Sequence, residues 1–508
     1  MGGKYEIVPS VEVQGSKDRE ELQHLWTLAV PSTLNYIMLM LQKIICVMFV
    51  GQLGSVELAG AALGLMFINV TGLSIGFGLG TALDTLCSQA YGAGEEKNGE
   101  ARGGRHMVGV HCQRGMFIMA LLVFPIGLVF MAAEQLLLLT GQDAEISFYA
   151  GRMSKIFIPA LPAAFFLEVV QRFLQVQSQG NVLIAVTSCT TVLTPPLAWL
   201  LIYYTGFGFD GCAYTMAVTN ILSALILCLV IAKFPELRSD CWGGFTTQAL
   251  TGWTEFFRLG YPGLVMICAE WWAFEVLAIF AGWVSKQALA TQSILNNILC
   301  LAFVIPLGLG DAAAIRVGNH LAAGRPKYAK NSARLTLIVT VAAEVGIALF
   351  IAGTRDRLPL LFTSDPDVLK LASPTLLLLS CFIIFDGIQG VLSGILRGSG
   401  LQEKAARINL VAFYAIALPI SYVSGCRAGL GILGIWGGIF VATTIQVLWM
   451  GVVTWQIQWD LLSDLAISRA QCDLENYSIV CVVALSPVSQ VAHRLPLWST
   501  PKEESKQK

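Results

Sequence analysis

The stretch Cys268–Val276 reads CAEWWAFEV and places two glutamates, Glu270 and Glu275, inside an apolar run from about Phe256 to Val284. A charged carboxylate at the centre of a bilayer costs roughly 2.5–3.5 kcal/mol on insertion scales, so an acid kept there is a functional candidate. Glu270 follows Arg258 by twelve residues. At 1.5 Å per residue that is about 18 Å along a helix, near the midplane. Glu275 points roughly 140° away around the same helix, so the two acids face different surroundings unless Pro262 bends the segment. Glu270 is the better cavity candidate. A carboxyl withdrawn from water holds its proton more tightly, because its ionised form loses hydration. Protonated, it offers little to a cation; deprotonated, it is an unpaired buried charge that favours one. Proton and cation then compete for one site, which is the minimum that exchange requires. Trp271 and Trp272 can add aromatic faces for cation–π contact. Packing or lipid contact is the ordinary role for at least one of them, since neighbours on a helix point about 100° apart.

Other ionisable groups fall in apolar runs. Asp386 has Gln389 three residues along on the same face, and a hydrogen-bonded structural acid fits it as well as a functional one. Glu168 and Arg172 are spaced to pair with each other. Lys43 is expected to snorkel from the outer end of its span, and Glu344 to face a polar groove. Asp84 and Asp311 are expected near the cytoplasmic ends of matching helices, where interfacial water lowers their cost. None of the five histidines falls mid-span, which removes the usual catalytic base. The thirteen cysteines are scattered, with no CxxC pair or Cys/His cluster. No metal, cofactor or disulfide framework is therefore expected, although Cys212 and Cys426 near predicted outer helix ends are a conceivable bridge.

The elements that hold these groups follow from composition. The chain has 508 residues, 55% of them hydrophobic and 13% charged, with a mean hydropathy of +0.68. Soluble chains carry about a quarter charged residues, so this is an all-α polytopic membrane protein. A net charge of −1 with no basic stripe gives no reason to expect a nucleic-acid partner. The first two dozen residues are polar, and the apolar run that follows is too long for a cleavable signal. Spans of roughly 20 apolar residues are read at 25–50, 57–82, 115–139, 153–176, 181–203, 210–233, 256–284, 287–312, 333–353, 370–396, 408–428 and 431–457. Lys and Arg concentrate at the N-terminus and after spans 2, 6, 8 and 10. That puts both termini of a twelve-span chain in the cytoplasm. The tail beyond about Leu461 contains an apolar stretch too short to span, and is expected to be cytoplasmic and poorly ordered. Sequons at Asn69, inside a span, and Asn476, in the tail, are expected to stay unglycosylated.

The chain repeats itself. Pro31 and Gly51 match Pro262 and Gly282, Gly80 and Gly94 match Gly310 and Gly324, and RFLQVQSQG parallels GILRGSGLQ. Six spans per repeat give a parallel repeat about an axis along the membrane normal. The domains expected are a cytoplasmic segment 1–24, an N-lobe 25–233, a linker 234–255, a C-lobe 256–457 and a tail 458–508. Two such lobes suit a secondary transporter with a cavity between them, and no P-loop suggests ATP use.

The motifs EWWAFEV, FINVTGLSIGFGLGTALDTLCSQAYG, IRVGNHLAAG and GILRGSG resemble the multidrug and toxin extrusion family, its animal branch in particular, over about residues 20–460. The resemblance implies two six-helix lobes and a monomeric proton-coupled antiporter that exports small organic cations. It also implies the plasma membrane, apical in excretory epithelia. By motif, Glu270 matches the family's essential acid in the seventh helix, Glu275 its second acid, Asp386 the acid of the tenth helix, and Asn69 the asparagine of INVTG. The proton- and cation-coupling set is then Glu270, Glu275 and Asp386. The cavity set is Asn69, Trp271, Phe274 and Asn297. Asn296 and Asn297 stand where animal members carry an aromatic and a glutamate, so one anionic site is lost. Phe274 replaces a frequent tyrosine.

Three other readings fit less well. A flippase for lipid-linked or anionic substrates would want a basic cavity, and the spans are poor in Arg and Lys. A membrane enzyme would want a mid-span histidine, paired carboxylates on one face or metal spacing. A channel is not favoured by a two-lobe repeat.

Overall fold

In the computed structural model of the protein, residues 11–95 and 104–485 are described; they form helices and turns, with no strand among them. Twelve helices are long and apolar enough to cross a membrane. They are α1 (Lys17–Val50), α2 (Ser55–Ala93), α3 (Met107–Met131), α4 (Ala144–Val176), α5 (Gly180–Tyr204), α6 (Asp210–Lys233), α7 (Trp253–Val284), α8 (Lys286–Ala322), α9 (Pro326–Thr354), α10 (Pro366–Gly398), α11 (Gln402–Arg427) and α12 (Gly431–Trp455). Each expected span is present, but several ends move. α2 runs on to Ala93 and α8 to Ala322. α3 begins at Met107 and stops at Met131, leaving Ala133–Leu139 as a separate short helix. The added turns carry polar residues such as Gln89, His111, Arg114 and His320 that are buried inside the protein. Hydropathy alone reads such residues as helix ends.

α1 packs against α5 and α8, α2 against α7 and α8, and α8 against α9 and α10. α1 and α2 thus meet α7 and α8 along the seam between the first and last six spans. At the end of the molecule that carries the termini, the seam is closed. A Cβ on Gly92 would fall onto the Asn319 carbonyl, and one on Gly318 onto the Ser88 hydroxyl, so glycine allows the two helices to touch there. Thr85 Oγ1 donates to the Arg397 carbonyl at 2.6 Å, and Gln402 Nε2 donates to Thr85 Oγ1 at 2.6 Å.

Beneath this contact lies a buried ionic network. Asp84 approaches Arg172 Nε and Arg397 Nε at 3.0 Å each, and Arg397 Nη2 also reaches Asp311 at 3.2 Å. Tyr36 donates to the other Asp311 oxygen at 2.7 Å, and Arg172 pairs with Glu168 at 2.6 Å, as the spacing predicts. Asp84 and Asp311 are therefore not relieved by interfacial water. Both are buried and neutralised by arginines, with Arg397 joining the two halves of the chain.

Two arms reinforce this end. The overhang of α1 sends Glu21 to Arg316 at 2.5 Å and accepts from Ser332 at 2.6 Å. The region after α12 is a helix, α13 (Trp459–Leu485), rather than the poorly ordered tail expected from sequence. It docks through Ser463 to the Leu321 carbonyl at 2.7 Å, Arg469 to Glu255 at 2.9 Å and to Gln89 at 2.5 Å, and Asp473 to His111 at 3.4 Å. These polar anchors hold a segment that hydropathy cannot assign to the membrane. The sequon residue Asn476 lies in α13, while the stretch beyond 485 lies outside the described residues. Cys212 and Cys426 are free thiols.

Toward the opposite end the seam loosens. The outermost polar link between the halves among the described residues is Trp272 Nε1 to the Val70 carbonyl, at 3.0 Å. Among the described residues, the polar contacts across the seam are therefore concentrated at the end where α1 begins and α13 docks.

Two outcomes follow from these contacts. Asp84→Asn leaves two buried arginines undercompensated, so purified protein is expected to lose about 3–5 kcal/mol of stability, read as a lowered thermal midpoint. Asp473 lies outside the spans; burial raises its carboxyl, but the His111 hydrogen bond and the charges of His111, Arg114 and Arg469 outweigh that and hold it below its ordinary value. A lowered carboxyl stabilises above its unfolded value, about pH 4, and that contribution is lost as pH falls through the folded one. Hydrogen exchange over residues 459–475, taken relative to the rate of an unprotected amide at the same pH, should stay slow at neutral pH and quicken only below about pH 4. Asp473→Asn should quicken it at neutral pH.

Candidate functional site

The buried stripe Met266, Ala269, Glu270, Ala273 and Leu277 faces α7 into the protein at helical spacing. Asp386, Gln389 and Ser393 share one face of α10. The two stripes meet where Gln389 Nε2 donates to Glu270 Oε2 at 3.1 Å. Asp386 is buried beside this contact and has no hydrogen bond or salt bridge among the described residues. A third carboxyl completes the group. Glu344 on α9 is 1% exposed, and its Oε1 has no partner. Its side chain fills the space beside Gly387, where a Cβ would lie 2.5 Å from Glu344 Cγ. Glu270 and Glu344 both lie within electrostatic reach of Asp386.

Three carboxyls from three helices therefore share a dry interior with one amide donor. None of them enters a salt bridge among the described residues, although Arg397 lies within electrostatic reach of Glu270. A buried charge without a partner is strongly disfavoured. The group is stable when protons or an external cation neutralise it. Glu275 is half-buried, makes no hydrogen bond or ion pair among the described residues, and does not join Glu270, as the helix geometry predicts. It lies instead, with Asp386, within electrostatic reach of Cys300 on α8.

The remaining candidates divide between the seam and the interior. Trp271 stacks on Phe77 of α2 at 5.9 Å between ring centroids, and Trp272 donates to Val70 of α2 and is 40% exposed. Both tryptophans therefore bridge the halves. Phe274 turns into the second half and packs on Phe413 at 6.4 Å. Asn297 is exposed and donates to Ser293 of its own helix at 2.8 Å. Asn69 opens a π-helical turn, Asn69–Leu73, a feature that frequently marks functional positions. Its Oδ1 faces Lys43 Nζ at 3.5 Å, the limit of a hydrogen bond. Lys43 thus turns toward Asn69 rather than snorkelling outward.

Sequence reasoning singled out Glu270 and Asp386 but set Glu344 aside as groove-facing. The missed signal was an acid in the middle of an apolar run, the same signal that marked Glu270. Among the described residues, no group of three His, Cys, Asp or Glu side chains is arranged to hold a metal ion.

Comparison with known proteins agrees with this architecture. The family model MatE matches residues 31–200 and again 262–423, two segments whose starts are separated as Pro31 is from Pro262. Multidrug and toxin extrusion protein 1 of Mus musculus is 37% identical over 429 residues, 84% of this chain and 74% of the relative. Multidrug and toxin extrusion protein 1 of Homo sapiens is 34% identical over 476 residues, 92% of this chain and 81% of the relative. Among solved structures, the eukaryotic MATE transporter AtDTX14 superposes with a TM-score of 0.84 at 31% identity, covering 89% of this chain and 99% of that one. The fold and these matches define a multi-pass membrane transporter, not an enzyme. The chain belongs to the multidrug and toxin extrusion family.

The close fit of Glu344 against Gly387 gives a packing test. Gly387→Leu should displace the Glu344 side chain and lower stability by about 1–3 kcal/mol, with Gly387→Ala milder. Thermal unfolding of the two purified variants checks the order.

Proposed function

We propose that this protein exports organic cations in exchange for protons by alternating access. The observation that carries the reading is the carboxyl group Glu270–Asp386–Glu344, buried and, among the described residues, without a salt bridge and with Gln389 as its one hydrogen-bond donor. A proton on Glu270 leaves the interior neutral. Losing that proton creates a charge that an organic cation can compensate, with the Trp271 and Trp272 faces beside the path. Binding one species thus favours release of the other. Glu270, Glu275 and Asp386 carry the coupling. Asn69, Trp271, Phe274 and Asn297 shape the cavity. The lobes 25–233 and 256–457, joined by the linker 234–255, move about the seam of α2 and α8.

The protein works as a monomer in the plasma membrane, on the apical face in epithelia, with both termini in the cytoplasm. The names of the relatives support this reading, since they describe extrusion of drugs and toxins.

The test uses vesicles loaded at acidic pH and diluted into alkaline buffer. Wild type should take up labelled tetraethylammonium, and collapsing the gradient should abolish uptake. Glu270→Gln should insert normally and fall at least about tenfold in uptake, as losing an essential coupling group demands. Full-speed exchange by that variant, or wild-type uptake indifferent to the gradient, defeats the reading.

A further inference from the structure

α13 belongs to the second half by its attachment and to both halves by its contacts. Gln456, Ile457 and Gln458 alone separate it from α12. Early in the helix, Ser463 donates to the Leu321 carbonyl of α8 at 2.7 Å, and the helix packs on α8 and α9. Further along it crosses the seam. Arg469 holds Glu255 at the start of α7 through Nε at 2.9 Å and Gln89 of α2 through Nη1 at 2.5 Å, so one side chain joins both halves. Asp473 then faces His111 of α3 at 3.4 Å. Leu474 occupies the space over Gly104, 3.1 Å from where a Cβ would stand. Ser463 and Asp473 are ten residues apart. That is about 15 Å of helix, enough to bridge two packed helices.

The two ends of this crossing are not held equally. On the second half, the short link to α12 and the buried Ser463 fix the helix. On the first half, the contacts are partly hydrated. The Arg469 side chain is 17% exposed and that of Asp473 22%, against 4% for Arg172 and Arg397 in the ionic network beneath. A small cleft lies under this part of the helix, lined by Ala90 and Ala93 of α2, Met107 of α3, and Ala470 and Leu474 of α13. Groups that keep some water and pack loosely regain their hydration at little cost when parted. Separation of α2 from α8 at this end would carry Gln89 and His111 away from Glu255 and Leu321. A helix bonded to both sides must then release one, and its hold on α2 and α3 is the weaker.

We propose that α13 is a regulatory strap. It stays with the second half, while Asp473, Leu474 and the Arg469–Gln89 bond release α2 and α3 each time the halves separate at this end, and that release slows exchange. The proposal rests on the alternating-access reading and adds to it a control that lies outside the twelve spans.

The experiment locks and loosens the strap in the full-length protein. The double variant His111→Cys/Asp473→Cys is oxidised with copper phenanthroline and then reduced with dithiothreitol, with Asp473→Cys alone as the control for the native cysteines. Oxidation should lower tetraethylammonium uptake into vesicles at least about tenfold, as blocking an obligatory conformational step does, and reduction should restore it. The control should not respond. Asp473→Ala and Leu474→Ala weaken the strap on the first half alone. Each should raise the uptake rate per inserted protein, by up to about fivefold for the ion pair. A merely structural role for α13 would lower that rate. Undiminished uptake by the oxidised pair, or no gain in rate in either alanine variant, overturns the strap; should the cysteine pair insert poorly, the alanine variants decide. Absence of tetraethylammonium uptake in wild type fails the exchange reading itself, a distinct result. Hydrogen exchange in detergent then still tests the strap: over residues 84–92 and 315–322 it should be slower in the oxidised pair than in the reduced one, and equal rates overturn the proposal.

Discussion

Charge that leaves water must be neutralised, and the way this protein does so divides it into two regions. Near the termini, Asp84, Arg172, Arg397, Asp311 and Glu168 neutralise one another at 2.6–3.2 Å. Deeper in the second half, Glu270, Asp386 and Glu344 have no such partners among the described residues. The first region resists separation, because parting it would strand charges in a dry interior. The second has no internal counter-charge among the described residues, so an ionised carboxyl there is costly. A tightly paired end and an unpaired centre follow from one electrostatic rule applied twice.

Arg397 connects the two. It bridges Asp84 of the first half to Asp311 of the second, and it lies within electrostatic reach of Glu270. A change of charge at Glu270 is therefore felt by the residue that clasps the seam. This is a physical route by which occupancy of the centre can bias the closed end, provided that the ionic network has two arrangements. The exchanged arms work in the same sense. Glu21 from the start of the chain grips α8 and α9, while Arg469 and Asp473 from its end grip α2 and α3. Each half thus reaches across to the other at the end where the seam is tight.

Close helix approach makes these contacts possible. Gly92 and Gly318 let α2 and α8 touch backbone to backbone, and Gly387 admits the Glu344 side chain beside Asp386. The far side has no comparable polar clasp beyond the Trp272–Val70 hydrogen bond among the described residues. Small residues and ion pairs along the seam, among the described residues, thus fall mainly at one end of it.

The sequence alone determined the class, the twelve spans and the internal repeat, and it singled out Glu270 and Asp386 as candidates. These follow from local quantities: a run of apolar residues must lie in lipid, and an acid within such a run stands out. It did not determine the extended ends of α2, α3 and α8, because buried polar residues such as His111 and Gln89 resemble solvated ones in a hydropathy reading. Nor could it make α13 a docked helix, since Arg469 and Asp473 find their partners hundreds of residues away in sequence. Only the tertiary structure decided that Asp84 and Asp311 are ion-paired, that Glu344 joins the acid group and that Lys43 turns inward. Whether a buried charge is paired depends on which helix faces which, and that is set by packing across the seam, not by neighbours along the chain.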